Sequence, residues 1–145
     1  SFMKRIIKIR PHHLLCIPRF YGGGYNKEFG KNLKKICFDI RNNPNVKIKV
    51  SKECDDICKK CPYKKDNICK KTPKLNYWIL RQDNKVLKKL NIKDNSIHNA
   101  KDVFNFSIDN VTSQNIKDIC KGCVFLKNCI KIGINDSFKK DLNKN

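Results

Sequence analysis

A chain of 145 residues with 33 Lys and Arg against 13 Asp and Glu carries a formal charge of +20, and only 39% of it is hydrophobic. With a mean hydropathy of −0.62, the chain is expected to form one ordinary domain whose thin core would gain from internal cross-linking by metal. No apolar run approaches the roughly 18 residues that span a bilayer, which argues against any membrane partner.

Ser1 and Phe2 precede Met3 and are read as a cloning remnant. Residues 3–130 are expected to form a single metal-binding domain, and 131–145 a C-terminal amphipathic helix with a frayed tail. After Met3 the apolar stretch is interrupted by Lys8, Arg10, Pro11, His12 and His13, so no secretion signal is expected and the protein should be cytoplasmic.

Residues 5–9 read as a short strand, and Pro11 suits the first turn of a helix carrying His12, His13, Leu14, Leu15 and Cys16. Gly22, Gly23 and Gly24 form a turn without the spacing of a nucleotide phosphate loop. From Asn26 as cap, Phe29, Leu33, Ile36, Cys37 and Ile40 follow helical spacing up to the stop at Asn42, Asn43 and Pro44, which places Cys37 on the apolar stripe as a core thiol. Val46, Ile48 and Val50 alternate with other residues, as in a half-exposed strand.

Beyond the first cysteine group, residues 75–80 and a segment with Val86, Leu87 and Leu90 capped by Asp83 read as helical. A short piece follows around Val103, Phe104 and Phe106, and another helix starts at Thr112 or Ser113. The expected class is α+β, mostly helical with a short β component and cross-linked by cysteine-ligated metal.

Nine cysteines in a reducing compartment point to metal ligation rather than disulfides, and the odd count leaves one unpaired in any disulfide scheme. Residues 56–69 read DICKKCPYKKDNIC and residues 118–129 read DICKGCVFLKNC. A Cys-x-x-Cys turn can present two thiolates to one metal while backbone N–H groups face the sulfurs. Each echo offers three ligands: Cys58, Cys61 and Cys69 in the first, Cys120, Cys123 and Cys129 in the second.

Three thiolates are one short of a tetrahedral set. Either each triplet recruits one more ligand, or both converge on one centre. Cys16 and His13, on one face of a helix, are the best candidates for the missing ligands; His12 and Cys54 are the further candidates. The competing reading of the two histidines is capping or core hydrogen bonding.

Cys54, Cys58 and Cys61 share the spacing of the radical S-adenosylmethionine motif, but Lys60 stands where an aromatic residue is usual and the chain is too short for that barrel. A zinc ribbon would set its two knuckles about 15–20 residues apart, far closer than Cys61 and Cys120. Spacing alone leaves iron-sulfur and zinc nearly balanced.

The string Arg10-Pro11-His12-His13-Leu14-Leu15-Cys16, then Phe20, Gly22, Gly24, Tyr25 and Phe29, then the two triplets, resembles the domain of unknown function 1284 family of bacteria and archaea. Its members are presumed to bind iron-sulfur. The resemblance implies an iron-sulfur cofactor, [4Fe-4S] being favoured, with Cys16, Cys58, Cys61, Cys69, Cys120, Cys123, Cys129 and both histidines in the family pattern. Cys37 and Cys54 fall outside that pattern.

The leading expectation is an electron-transfer or redox-sensing protein whose lysines dock an acidic redox partner. The alternative is a structural zinc module presenting a basic face to nucleic acid. That partner is disfavoured, because the excess charge is mostly Lys and scattered along the chain. An enzyme using a His-activated Cys16 ranks last, since no third orienting residue can be named. The oligomeric state is left open.

Overall fold

The computed structural model describes residues 6–22, 26–62, 64–65, 68–69, 75–123 and 126–144. The expected class holds in its coarse form: a small α+β protein with seven α-helices among the described residues, a three-stranded sheet and a two-stranded one.

The main sheet has the order β1 (Ile6–Ile9), β2 (Lys47–Val50), β5 (Ser96–Asn99), with β1 parallel and β5 antiparallel to β2. Alternation decides its two faces. Ile7, Ile9, Ile48 and Val50 point into the core, whereas Ile6, Lys47 and Ile97 face outward. A parallel β1–β2 pair needs a crossover. That crossover contains the short α1 (His13–Cys16), a 3-10 turn at Ile17–Arg19 and α2 (Lys27–Asn42).

Helix α2 begins where Asn26 caps it by accepting the Phe29 N–H at 2.8 Å, and it buries Phe29, Ile36, Cys37 and Ile40 as a single stripe. The β3 (Lys64–Lys65) and β4 (Ile68–Cys69) strands pair antiparallel inside the first cysteine echo. Helix α3 (Leu75–Leu90) is continuous where two segments were expected. Asp83 starts no helix, because its carboxylate is occupied by side chains from the β1–α1 junction.

Strand β5 leads into α4 (Ala100–Asn110), capped by Asn99, and Val103 and Phe104 of α4 enter the core. Thr112 starts α5 (Ser113–Ile119) in a reciprocal capping box with Asn115. Two short helices follow, α6 (Leu126–Ile132) and α7 (Asp136–Leu142).

Helix α7 packs against α2. Phe138 meets Phe104 edge-on at a ring-centroid separation of 5.7 Å, and Leu142 is fully buried. Asp141 binds Arg41 Nε at 2.8 Å, and the Asn135 N–H reaches the Pro18 carbonyl at 2.8 Å. The tail helix therefore belongs to the same hydrophobic core as the rest of the described chain.

After β2 the chain keeps running along β1. Ser51 and Asp56 donate their backbone N–H groups to Ile9 and Lys8 at 3.0 Å each. This continuation lays the segment with Cys54, Asp55 and Cys58 against the Arg10–His13 junction.

Candidate metal centres

Four cysteines from two distant stretches lie near enough to influence one another electrostatically. Cys16 ends α1, Cys120 closes α5, Cys123 follows a tight turn and Cys129 lies in α6. The turn is closed by a 2.8 Å bond from the Cys123 N–H to the Cys120 carbonyl. Its third residue, Gly122, has φ +89°, a conformation that favours glycine. The Trp78 ring of α3 lies over this glycine, and a Cβ there would stand 3.6 Å from it, an ordinary contact.

The electrostatics show that these thiols sense one another. Burial pushes the Cys16 thiol well above its ordinary value, and the neighbouring Cys120, Cys129 and Cys123 push further in the same direction. Burial, then Cys123, raises Cys120 to about 11, against a hydrogen bond with the Gln82 side chain that favours its thiolate. Cys129 is raised by burial and Cys123. Arg19 works the other way on Cys16, Cys120 and Cys129. Its Nη1 donates to the Leu15 carbonyl at 2.8 Å.

A second group forms where the β2 continuation crosses the β1–α1 junction. Cys54 is buried, Cys58 opens a 3-10 turn, and the Cys61 N–H returns to the Cys58 carbonyl at 3.0 Å. A hydrogen bond with Cys54 is the largest cause raising the Cys58 thiol far above its ordinary value, followed by burial and the Asp55 charge. Cys54, which fell outside the family pattern, is thus the direct neighbour of Cys58. Cys69 lies on β4, and its side chain is outside the described residues.

Behind these thiols stands a buried ionic network. Asp55 accepts the Arg10 backbone N–H at 2.7 Å, the Cys58 backbone N–H at 3.0 Å and a short bond from His13 Nδ1. Burial alone would raise the Asp55 carboxyl, yet His13 and these donors hold it far below the usual carboxylate range. Asp83 of α3 accepts Arg10 Nε at 2.8 Å, His12 Nδ1 at 2.6 Å and the His12 backbone N–H at 3.1 Å.

Burial opposes ionisation of Asp83, but His12 and Arg10 outweigh it and lower its pKa. His12 is itself lowered, by burial and then by His13, with the Asp83 charge pulling the other way. The two imidazole centroids are 4.2 Å apart. Arg10 is only 2% exposed, and its Nη2 has no hydrogen-bond partner among the described residues.

The structure therefore brings Cys16 to Cys120, Cys123 and Cys129, and Cys54 to Cys58. Each histidine rests on a carboxylate through Nδ1, His13 on Asp55 and His12 on Asp83. Cys37 is a core residue of α2. Among the described residues, no group of three or more His, Cys, Asp or Glu stands at the spacing that would hold a metal ion.

Sequence reasoning passed over Asp55 and Gln82 and gave Asp83 only a capping role. One signal was present: Asp83 shares the helical stripe of Val86, Leu87 and Leu90, and an acid on an apolar stripe requires a buried partner. No comparable pattern marks Asp55 or Gln82.

The arrangement is that of a small α+β domain with two cysteine groups, each beside an arginine. Residues 24–129 match the family described as Protein of unknown function (DUF1284), and the chain belongs to that family. No curated protein and no solved structure matches it. Among the described residues, no helix is long and apolar enough to cross a membrane.

Proposed function

We propose that this chain is an iron-sulfur protein with two thiolate-ligated centres, acting in electron transfer or redox sensing. The observation that carries this reading is that Cys120, Cys129 and Cys123 all act electrostatically on Cys16, which makes Cys16 the candidate fourth thiol for the second triplet. An all-sulfur donor set of four fits a cubane cluster of the [4Fe-4S] type. The first triplet, Cys58, Cys61 and Cys69, has Cys54 as its nearest fourth sulfur. Asp55 and Asp83 hold His13 and His12 through Nδ1, which leaves each Nε2 available, so His13 remains a candidate ligand and His12 a further one.

The raised thiols are protonated when metal-free at neutral pH, so loading releases protons and draws the sulfurs together. An iron-sulfur centre supplies reversible one-electron chemistry. The protein's part is to hold the sulfurs, to exclude water with Leu14, Leu15 and Ile57, and to present lysines to an acidic partner.

Anaerobic purification tests the reading. The expected product is brown, absorbs near 400 nm and contains iron and sulfide at close to four each per centre. Cys16→Ser should lose one centre and keep the other. A colourless protein holding only zinc would replace this reading with a structural zinc module, because the same four thiolates suit tetrahedral zinc.

A further inference from the structure

Between Leu75 and Leu90, helix α3 carries a single acid, Asp83, and that side chain is turned inward onto Arg10 and His12. The charge on its outer face is therefore all cationic. Tyr77, Arg81, Lys85 and Lys88 recur three or four residues apart, which sets them on one side of the helix. All four are exposed, Tyr77 at 68%. The row from Tyr77 to Lys88 is about 16 Å long.

Like charges at this spacing weaken a helix. Among the described residues no ion pair relieves Arg81, Lys85, Lys88 or the adjoining Lys89. Lys88 and Lys89 lie in the last turn, where cations favour the negative end of the helix; Arg81 and Lys85 stand further back and have no such duty. Helix α2 makes the contrast. It exposes Lys27, Lys31, Lys34 and Lys35, but Glu28 stands in its first turn and Lys35 is paired with Asp39 at 3.3 Å. Charge that is scattered along the sequence is thus gathered by the fold into a row of one sign on α3.

Going beyond the reading of the thiols and independent of it, we propose that the outer face of α3 binds single-stranded nucleic acid, with Arg81, Lys85 and Lys88 on backbone phosphates and Tyr77 stacked on a base. Charge complementarity selects a polyanion, and the formal charge of +20 draws one in from a distance. The layout of the row selects nucleic acid over an acidic protein. Centres of protein interfaces are depleted in charge and rich in aromatic residues. Here the centre is cationic and the aromatic ring stands at one end. A base offers that ring a flat face, and only in a single strand is the face free to meet it.

The experiment measures binding of fluorescent single-stranded RNA and DNA of one sequence, and of the matching duplex, to the full-length protein over a range of salt. Arg81→Gln, Lys85→Gln and Lys88→Gln are combined in one variant, and Lys27→Gln, Lys31→Gln and Lys34→Gln in a control of equal charge change on α2. All six positions are exposed and Gln is a good helix former, so both proteins should fold, which thermal unfolding verifies. Should the α3 variant unfold, Arg81→Gln and Lys88→Gln take its place singly.

The α3 variant should reduce the slope of log affinity against log salt by about 2, which is roughly 0.7 for each of three lost phosphate contacts. Tyr77→Ala should weaken single-strand binding by at least about fivefold and duplex binding less. The α2 control should keep most of the affinity, and the two single strands show whether RNA or DNA is preferred. Equal losses in the two triple variants would mean attraction by net charge alone and overturn the inference. So would a Tyr77→Ala protein that binds like wild type, a duplex bound as tightly as the strand, poly-glutamate that competes as well as unlabelled strand, or the absence of salt-sensitive binding. Each of these outcomes leaves the reading of the thiols untouched.

Discussion

Replacing Asp83 by Leu tests the buried network without reference to any metal. Asp83 is fully buried and accepts three hydrogen bonds, from Arg10 Nε at 2.8 Å, His12 Nδ1 at 2.6 Å and the His12 backbone N–H at 3.1 Å. Without it Arg10 becomes a buried cation lacking its counter-ion, and breaking such a pair from one side costs about 3–5 kcal/mol. For a chain of this size each kcal/mol lowers Tm by roughly 2–4 °C, so the fall should be on the order of 10 °C.

Adding Arg10→Met should restore most of that loss, because removing both charges leaves an apolar contact of similar volume. Urea unfolding of the three proteins, prepared identically, measures the coupling. A loss under about 1 kcal/mol in the single variant, or a double variant no better than the single, would refute the network as described. Since the Asp83 pKa is lowered on folding, its contribution is present above the unfolded value of roughly 3.9. The gap between wild type and variant should therefore narrow as the pH falls below that point.

Gly122→Ala should destabilise by about 1–2 kcal/mol from the positive φ alone, because its Cβ would meet Trp78 at an ordinary 3.6 Å; unchanged denaturant midpoints would contradict that backbone geometry. Phe138→Ala should cost about 3–5 kcal/mol, since the ring is 2% exposed and stacks edge-on against Phe104. A loss below about 1 kcal/mol would mean that α7 is not docked on the core. Cys37 is pushed by burial to about 12, so its contribution is complete below the unfolded thiol value and is lost as pH rises toward 12. Between about pH 8 and 10.5, Cys37→Val should lose about 2 kcal/mol less stability than wild type, and parallel pH profiles would show the thiol to be unperturbed.

Much of the local structure was legible because it is decided within three or four residues. Asn26 caps α2, Thr112 caps α5, and the alternation of Val46, Ile48 and Val50 becomes β2. The Cys-x-x-Cys turns close as their spacing requires. The helix start expected at Asp83 did not materialise, since a side chain that can cap a helix can equally serve a distant cation when the fold brings one.

What the sequence by itself determined was the inventory: two echoing triplets, a Cys16 able to complete one of them, two histidines, and the short elements that carry them. The grouping was decided only by tertiary structure. The parallel pairing of β1 with β2 brings Cys54 and Asp55 against Arg10 and His13, while the path through α4 and α5 returns the second triplet to Cys16. Hydrophobic periodicity specifies which face of each element is buried, but not which neighbour it meets. The carboxylates claimed both histidines because buried acids need partners, and these imidazoles stood within reach.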